Sequence, residues 1–340
     1  MKLLVSALEP SANLHLAPIL EALPQAEISG IFDARFGDPL YPSSRFSVMG
    51  FLDIIPKIFQ AREAIREMVF LAREADSILL IDSPAFNLPL AKAIKARYPD
   101  KKIVYYILPK VWAWNRRRVK KVEAYVDLQA SIFPFEKAFY PHARYVGNPL
   151  LDEIKVSHDP SVTYGRTAFL PGSRRGEIRK LMPLFREIAG QIEGEKVVVV
   201  PSFFQGADLE AIYGALDGFE ISYDMQRSVV QSDFAFVCSG TATLEAALIG
   251  TPFLLAYKAK ALDYFIGSRL VKLRHIGLAN IIMDFEGKAP VHQEFLQDAA
   301  TAENLLAAYR DFDKTAFAAH AGALREILGH GSVKNIVNLL

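Results

Sequence analysis

The sequence predicts an α/β fold with two Rossmann-like, doubly wound domains, and three observations predict it. Short apolar runs alternate with helical patterns, the alternation starts twice along the chain, and a turn-rich segment separates the two series. Buried runs flanked by helices are typical of a parallel sheet covered on both faces. The 340 residues are enough for two domains, each with its own core.

The first series predicts four buried strands, at residues 3–7, 77–81, 102–107 and 128–133. We expect residues 3–7 to be a strand rather than part of a signal peptide, because the apolar stretch is short and runs into a turn with Glu9 and Pro10. Residues 147–160 are polar and turn-rich after an apolar start, which predicts a linker.

The second series predicts strands at residues 167–170, 196–200, 233–237 and 252–256, with helices that begin near Gly176, Thr241 and Ala261. In doubly wound domains the carboxyl ends of the strands collect ligands. Two such domains that face each other would place both of these edges around one cleft, an arrangement that suits a reaction of two substrates.

Composition excludes some function classes. The formal net charge of +1 gives no reason to expect nucleic acid as a partner. The hydrophobic fraction of 51% is high, yet no apolar run is long enough to cross a bilayer, so membrane contact is expected to be peripheral. The single cysteine, Cys238, excludes an internal disulfide and is typical of a reducing compartment such as the cytosol.

A strand-to-helix turn at residues 236–245 predicts a nucleotide-diphosphate site. Ser239, Gly240 and Thr241 follow an apolar run and open a helical pattern, so free backbone N–H groups and the helix dipole favour phosphate there. Glu245 lies one turn further, in reach of a ribose diol. An ordinary capped helix remains the alternative.

A second turn of the same kind lies at residues 170–178. Gly172 permits close approach of a ligand, Ser173 or backbone amides donate to phosphate, and Arg174 supplies positive charge. The alternative is a turn with solvated arginines. Two such turns in one domain favour the phosphate interpretation.

Polar residues also follow the first-domain strands. Asp82 ends a buried run and is a candidate general base, with a helix cap as the alternative. Glu9, Ser11, Asn13 and His15 follow the first strand and are expected at the same edge of the sheet.

Two segments of the first domain predict a lipid-facing surface. Residues 48–59 carry large apolar side chains at almost every position, among them Met49, Phe51, Ile55 and Phe59. Such a segment inserts into a bilayer interface or receives acyl chains, or else packs between sheet and helices. Residues 111–121 combine Trp112 and a second tryptophan with five cations including Arg116, which indicates anionic lipid or a phosphorylated sugar, and least of all nucleic acid.

Taken together, these motifs resemble the lipid-A-disaccharide synthase family of glycosyltransferases. The resemblance is carried, in the same order, by residues 9–11, 48–51, 81–87, 108–114, 133–140, 145–149, 170–174 and 239–245. It continues to residues 277–281 and more faintly to 294–297.

The resemblance implies a GT-B fold with a membrane-facing domain at residues 1–155, a UDP-sugar domain at 156–315, and helices at 316–340 that return to the first domain. It implies transfer of 2,3-diacylglucosamine from UDP to the 6-hydroxyl of 2,3-diacylglucosamine 1-phosphate, with inversion at the anomeric carbon. It also implies contact with the cytoplasmic face of the inner membrane and no cofactor. The sequence shows no metal-binding cluster and leaves a homodimer open.

The resemblance also implies the roles of site residues. Arg174 with Ser239, Gly240 and Thr241 would stabilise the departing UDP, Glu245 would bind the ribose, and Asn280 and Gln297 would line the nucleotide side. Ser11, Asn13, Trp112 and Arg116 join the apolar residues of segment 48–59 on the acceptor side.

This chain departs from the family pattern at Ala12, Asn13 and Ala85, where the family usually has Gly, Asp and a second Asp. Asp82 and Glu9 are therefore the candidate bases. Two alternatives remain: a non-catalytic protein that binds UDP-sugar or glycolipid, and a UDP-sugar 2-epimerase. An epimerase needs no acyl-binding surface, so the apolar segment from Met49 to Phe59 argues against it.

Overall fold

A computed structural model describes residues 1–47, 54–258 and 273–340, with the side chains of 47 and 54–59 outside the description. The helix start expected near Ala261 therefore lies outside the described residues. By its internal packing the chain divides into two compact units, Met1–Asp152 with Leu328–Leu340, and Glu153–Ile327.

The strands alternate with helices along most of the chain. The strands are β1 (Lys2–Ser6), β2 (Glu27–Phe32), β3 (Tyr41–Pro42), β4 (Ser77–Ile81), β5 (Ile103–Tyr106), β6 (Leu128–Ser131), β7 (Arg144–Tyr145), β8 (Arg166–Leu170), β9 (Glu195–Val199), β10 (Glu220–Ser222), β11 (Phe234–Cys238), β12 (Phe253–Tyr257) and β13 (Glu294–Leu296). The described α-helices are α1 (Pro10–Ala22), α2 (Ser44–Ser47), α3 (Ile54–Ala72), α4 (Pro84–Arg97), α5 (Arg118–Tyr125), α6 (Pro149–Glu153), α7 (Arg175–Ala189), α8 (Leu209–Tyr213), α9 (Met225–Val230), α10 (Thr241–Ile249), α11 (Leu278–Phe285), α12 (Ala302–Arg310), α13 (Lys314–Leu328) and α14 (Ser332–Val337).

Each unit contains one parallel sheet, in the order β3-β2-β1-β4-β5-β6-β7 in the first and β10-β9-β8-β11-β12-β13 in the second. In both sheets the chain runs outward on one side and then returns to the middle to run outward on the other. The reversal lies between β1 and β4, and between β8 and β11. Ligands bind beyond the carboxyl ends of the strands at such a reversal.

The central strands are buried because both faces of each sheet are covered. All five residues of β4 and all five of β11 are buried, which matches their almost wholly apolar sequence. Helix α7 carries one apolar face, with Ile178, Leu181 and Phe185 in the core of the second unit. This packing holds the turns at the carboxyl ends of the strands in fixed positions.

The carboxyl-terminal residues divide between the units. Helix α14 packs against α1 in the first unit, and the Ser332 Oγ lies 2.7 Å from the hydroxyl of Tyr106. The carboxylate of Asp152 accepts hydrogen bonds from the amides of Gly331 and Val333. Residue 316, the expected start of the returning segment, lies within α13, which belongs to the second unit up to Ile327.

Candidate active site

The two turns expected to bind phosphate lie side by side in the second unit. Strands β8 and β11 pair in parallel, with Leu170 opposite Val237. The turn after β8 and the turn after β11 therefore leave the sheet at the same edge, at the point where the strand order reverses.

Gly172 lets these two turns come close together. Its φ is +98°, in the left-handed region, and a Cβ there would lie 3.0 Å from Oε2 of Glu177 and 3.1 Å from Sγ of Cys238. A larger residue would push the turn away from the end of β11.

Gly240 precedes the first turn of α10 and has a φ of +155°. None of the described residues comes within 4 Å of an ideal Cβ at this position. Thr241 is exposed, while Ser239 donates its hydroxyl to the carbonyl of Ile276. Among the described residues the start of α10 is therefore exposed, and an exposed helix N-terminus can bind an anion.

Arg174 stands at the N-terminus of α7, next to the exposed Ser173. Its guanidinium donates to Glu177 Oε1 at 2.8 Å, and 81% of its side chain is exposed. The hydrogen bond from Arg174 to Glu177 and the charge of that carboxylate raise the pKa of the guanidinium above its usual range. The arginine is thus tethered beside both turns by one surface ion pair, a contact weak enough to exchange for a phosphate.

Glu245 and Asn280 differ in the hydrogen bonds that their side chains already make. Glu245 is half-buried on α10 and accepts a hydrogen bond from Gln226. Asn280 is fully buried, donates to Glu294 and to the carbonyl of His292, and accepts from the Val291 amide. Its amide therefore braces the loop beside the turns rather than presenting itself to a ligand.

Gln297 follows β13 with a φ of +52°. Its Nε2 is buried and has no hydrogen-bond partner among the described protein atoms. An unsatisfied buried donor costs about 1–3 kcal/mol, and a left-handed backbone in a residue other than glycine adds strain. Such features are typical of a side chain held for a ligand.

Glu294 is a residue that the sequence reasoning missed. Its carboxylate accepts from the amides of Ile276 and Gly277 and from Asn280. It therefore fixes the loop that receives the Ser239 hydroxyl. Its sequence signal was the faint family resemblance at residues 294–297, which did not reveal its role because its partners lie in another loop.

In the first unit, the residues that follow β4 adopt an unusual backbone. Asp82 and Ser83 have φ values of 49° and 44°. The Asp82 carbonyl accepts from the Tyr105 hydroxyl at 2.7 Å and from the Asn87 amide at 2.8 Å, while its carboxylate accepts from the Ser83 amide. These contacts hold the strained turn in place at the reversal between β1 and β4.

Glu9 follows β1 and lies at a cavity of about 560 Å³ in the first unit. Ser83 and Ala85 also line this cavity, and the Ser83 hydroxyl lies 3.4 Å from Glu9 Oε1. Glu9 thus presents a carboxylate to the cavity, whereas the carboxylate of Asp82 turns back to a backbone amide.

The remaining acceptor-side residues occupy different environments. Ser11 is exposed, whereas Asn13 is buried, donates to the carbonyls of Ala7 and Glu9, and accepts from the Asp33 amide. Asn13 therefore shapes the loop that carries Glu9. Met49 and Phe51 lie outside the described residues, and only the backbone of Ile55 and Phe59 is described, within α3.

Trp112 is 9% exposed and packs against Phe133 and Phe135. Its indole N–H donates to Glu136, a buried carboxyl that the sequence reasoning missed. Burial raises the pKa of Glu136 to about 8. Trp112 is thus part of the core, and Arg116, which lies over the Phe139 ring, remains at the surface.

Some known proteins are similar to this chain in sequence, and solved structures are similar to it in fold. Residues 3–315 match the family described as lipid-A-disaccharide synthetase. Two relatives named lipid-A-disaccharide synthase are 47% identical, from Campylobacter jejuni, and 48% identical, from Helicobacter pylori; each alignment covers 99% of this chain and 98% or 97% of the relative. The chain belongs to the lipid-A-disaccharide synthase family.

Lipid-A-disaccharide synthases are glycosyltransferases, and the fold agrees with that class. A solved structure of a putative UDP-N-acetylglucosamine 2-epimerase from Listeria monocytogenes superposes with a TM-score of 0.60 over 99% of this chain and 94% of the other, at 16% identity. At this identity the likeness shows the fold alone. The GT-B fold predicted for this family member is confirmed.

The described part of this lipid-A-disaccharide synthase family member contains neither a metal-ligand cluster nor a membrane-spanning helix. Within residues 1–47, 54–258 and 273–340, no three or more His, Cys, Asp or Glu side chains are grouped as metal ligands would be. Over the same residues, no helix is both long and apolar enough to span a membrane.

Proposed function

We propose that this family member is an active lipid-A-disaccharide synthase. It transfers 2,3-diacylglucosamine from UDP to the 6-hydroxyl of 2,3-diacylglucosamine 1-phosphate, which yields a β(1→6) disaccharide and UDP. The observation that carries the proposal is the pair of turns after β8 and β11, with an exposed helix start and an exposed arginine at one sheet reversal.

The donor side of the reaction belongs to the second unit. The amides of Ser239, Gly240 and Thr241, together with the Thr241 hydroxyl, receive the pyrophosphate, and Arg174 turns from Glu177 to meet the charge that grows on UDP as the glycosidic bond breaks. Gln297 donates its unsatisfied amide to the donor, which relieves the cost of its burial.

Glu245 binds the ribose diol through its carboxylate, one helical turn from the pyrophosphate amides. Asn280 acts indirectly, because its amide is already satisfied by the loop that it braces.

The acceptor side belongs to the first unit. Glu9 takes the proton of the attacking 6-hydroxyl, because it presents its carboxylate to the cavity. Asp82 positions the turn that carries Ser83 and does not itself take the proton. Ala85 lines the cavity beside Glu9, so the second carboxylate of the family pattern is replaced here by an apolar wall.

Contact with the cytoplasmic face of the inner membrane is the proposed location of the reaction. Phe70 on α3 is 71% exposed and Trp114 is 53% exposed, as expected of residues that enter a bilayer interface. Replacing both with serine should weaken binding to anionic vesicles, and unchanged sedimentation with vesicles would remove these residues from the membrane surface. The possible homodimer is a separate prediction, and sedimentation equilibrium of the purified protein tests it.

Turnover tests the function directly. Purified protein with UDP-diacylglucosamine and the acceptor should release UDP and form the disaccharide. Arg174→Ala should lower kcat about 10²- to 10³-fold, whereas Arg179→Ala, exposed on the same helix, should not.

Glu9→Gln should slow the reaction more than Asp82→Asn. Saturable donor binding without product would support the non-catalytic alternative instead.

A further inference from the structure

Two arginines line the acceptor cavity and have no role in the reaction as proposed. Arg62 lies on α3 and Arg118 is the first residue of α5, and both form part of the wall that includes Glu9. Most of the remaining wall is apolar, with residues such as Leu8 and Phe86. An anion in this cavity would therefore meet two positive charges beside an apolar wall.

Arg118 is held in a defined orientation. Its guanidinium lies 4.8 Å from the centroid of the Trp114 ring, and the residue is half-buried. A cation over an indole is stabilised by the ring, and a planar guanidinium fixed in this way presents its donors as a fork. That fork matches the oxygens of a phosphate.

Arg62 comes from a different element. Ala61, Arg62 and Ile65 of α3 all line the cavity, so one face of this helix contributes both apolar surface and a charge. A cavity that combines two guanidinium groups, an apolar wall and a carboxylate fits a ligand with a phosphate, apolar chains and a reactive hydroxyl.

We infer that Arg62 and Arg118 bind the anomeric phosphate of the acceptor and thereby select it over the unphosphorylated sugar. This inference rests on the proposed function. In a pyranose the C1 substituent and the C6 hydroxymethyl arm flank the ring oxygen. One cavity that contains both an anion site and the base Glu9 can therefore contact both the C1 phosphate and the 6-hydroxyl of the acceptor.

Steady-state kinetics in detergent micelles test the inference. UDP release is measured at a fixed donor concentration with diacylglucosamine 1-phosphate or with diacylglucosamine. Arg62→Gln and Arg118→Gln should each lower kcat/KM for the phosphorylated acceptor roughly 10- to 100-fold, the range for a hydrogen bond to a charged group. The KM for the donor should stay unchanged, and the unphosphorylated acceptor should react alike with variant and wild-type protein.

The matched controls are Arg66→Gln, one turn along α3, and Arg117→Gln, next to Arg118; both residues are exposed. Each control should stay within about 2-fold of wild type. Equal losses in the controls, or equal losses with both acceptors, would overturn the inference and assign these cations to general attraction for an anionic surface.

A binding measurement separates the inference from the proposed function. Because Trp114 contacts Arg118, its fluorescence should change when diacylglucosamine 1-phosphate binds, and Arg118→Gln should weaken that binding while Arg117→Gln does not. If wild-type protein binds the phosphorylated acceptor selectively but releases no UDP, the proposed function fails and the phosphate site stands. If both acceptors bind equally, the phosphate site fails.

Discussion

At the residue scale, the donor site depends on a few single positions, and at one of them, Gly172, the backbone leaves no room for a side chain. Gly172 allows the turn after β8 to lie against Cys238 and Glu177. Arg174 is held by Glu177, and the amide of Gln297 lacks a protein partner among the described residues. The unsatisfied amide of Gln297 costs stability, and a hydrogen bond to the bound donor would offset that cost.

Gly172→Ala should destabilise the second unit by about 1 kcal/mol or more, because the new Cβ meets its neighbours and alanine disfavours the left-handed backbone. It should also weaken UDP binding. The control is Gly176→Ala, in the first turn of α7, where none of the described residues lies within 4 Å of the Cβ. That change should stabilise the unit by roughly 0.5–1 kcal/mol. Urea unfolding followed by circular dichroism measures both, and equal effects would show that Gly172 is an ordinary turn residue.

At the element scale, the sequence predicted the central strands better than the edge strands. The run at residues 77–81 is wholly apolar apart from Ser77 and forms β4. Strand β2 was not predicted, because Gly30 interrupts its apolar residues and only half of its residues are buried. The turns after β8 and β11 were predictable because small residues follow apolar runs there.

Side chains that act through distant partners were not predictable. Asn13 was expected to contact the acceptor, yet it binds the amide of Asp33 and braces the Glu9 loop. Trp112 was expected at the lipid surface, yet Glu136 and two phenylalanines draw it into the core. In both cases the hydrogen-bond partner belongs to another element of the fold. The sequence around Asn13 or Trp112 therefore does not predict the contact.

The stability of the first unit depends on pH through Glu136, in the 3-10 helix Pro134–Ala138. Burial raises the pKa of this carboxyl group to about 8 from its ordinary 4.5. The folded first unit keeps this proton up to about pH 8, whereas the unfolded chain loses it near pH 4.5. The stability from this group is therefore full below pH 4.5 and falls as pH rises towards 8, by at most ~1.4 kcal/mol per pH unit.

Glu136→Gln should flatten this part of the pH dependence, because glutamine stays neutral while it still accepts from Trp112. Both tryptophans of the chain lie in the first unit, so their fluorescence during urea unfolding reports on that unit. Relative to wild type, the variant should gain stability between about pH 5 and pH 9. Parallel pH profiles of the two proteins would contradict the raised pKa.

At the scale of the whole molecule, the last residues of the chain complete the first unit. Helix α14 packs against α1, with Ile336 fully buried. The sequence predicted two doubly wound domains from the repeated alternation of strands and helices. It did not show that α13 groups with the second unit, because a helical pattern does not say which sheet receives its apolar face.

Ile336→Ala should destabilise the first unit by about 2–5 kcal/mol, through lost burial and the cavity left behind. Lys334→Ala, exposed on the same helix, should change its stability by less than about 0.5 kcal/mol. Tryptophan fluorescence in urea should show an earlier transition for Ile336→Ala only. An unchanged transition would mean that α14 contributes little to the packing of this unit.

The central claim is that the turns after β8 and β11 bind the pyrophosphate of the sugar donor. A crystal structure with bound UDP tests it most directly. We expect the pyrophosphate at the amides of Gly240 and Thr241, with Arg174 turned from Glu177 towards a phosphate oxygen and the ribose at Glu245. UDP bound at another edge, with Arg174 still paired to Glu177, would contradict the claim.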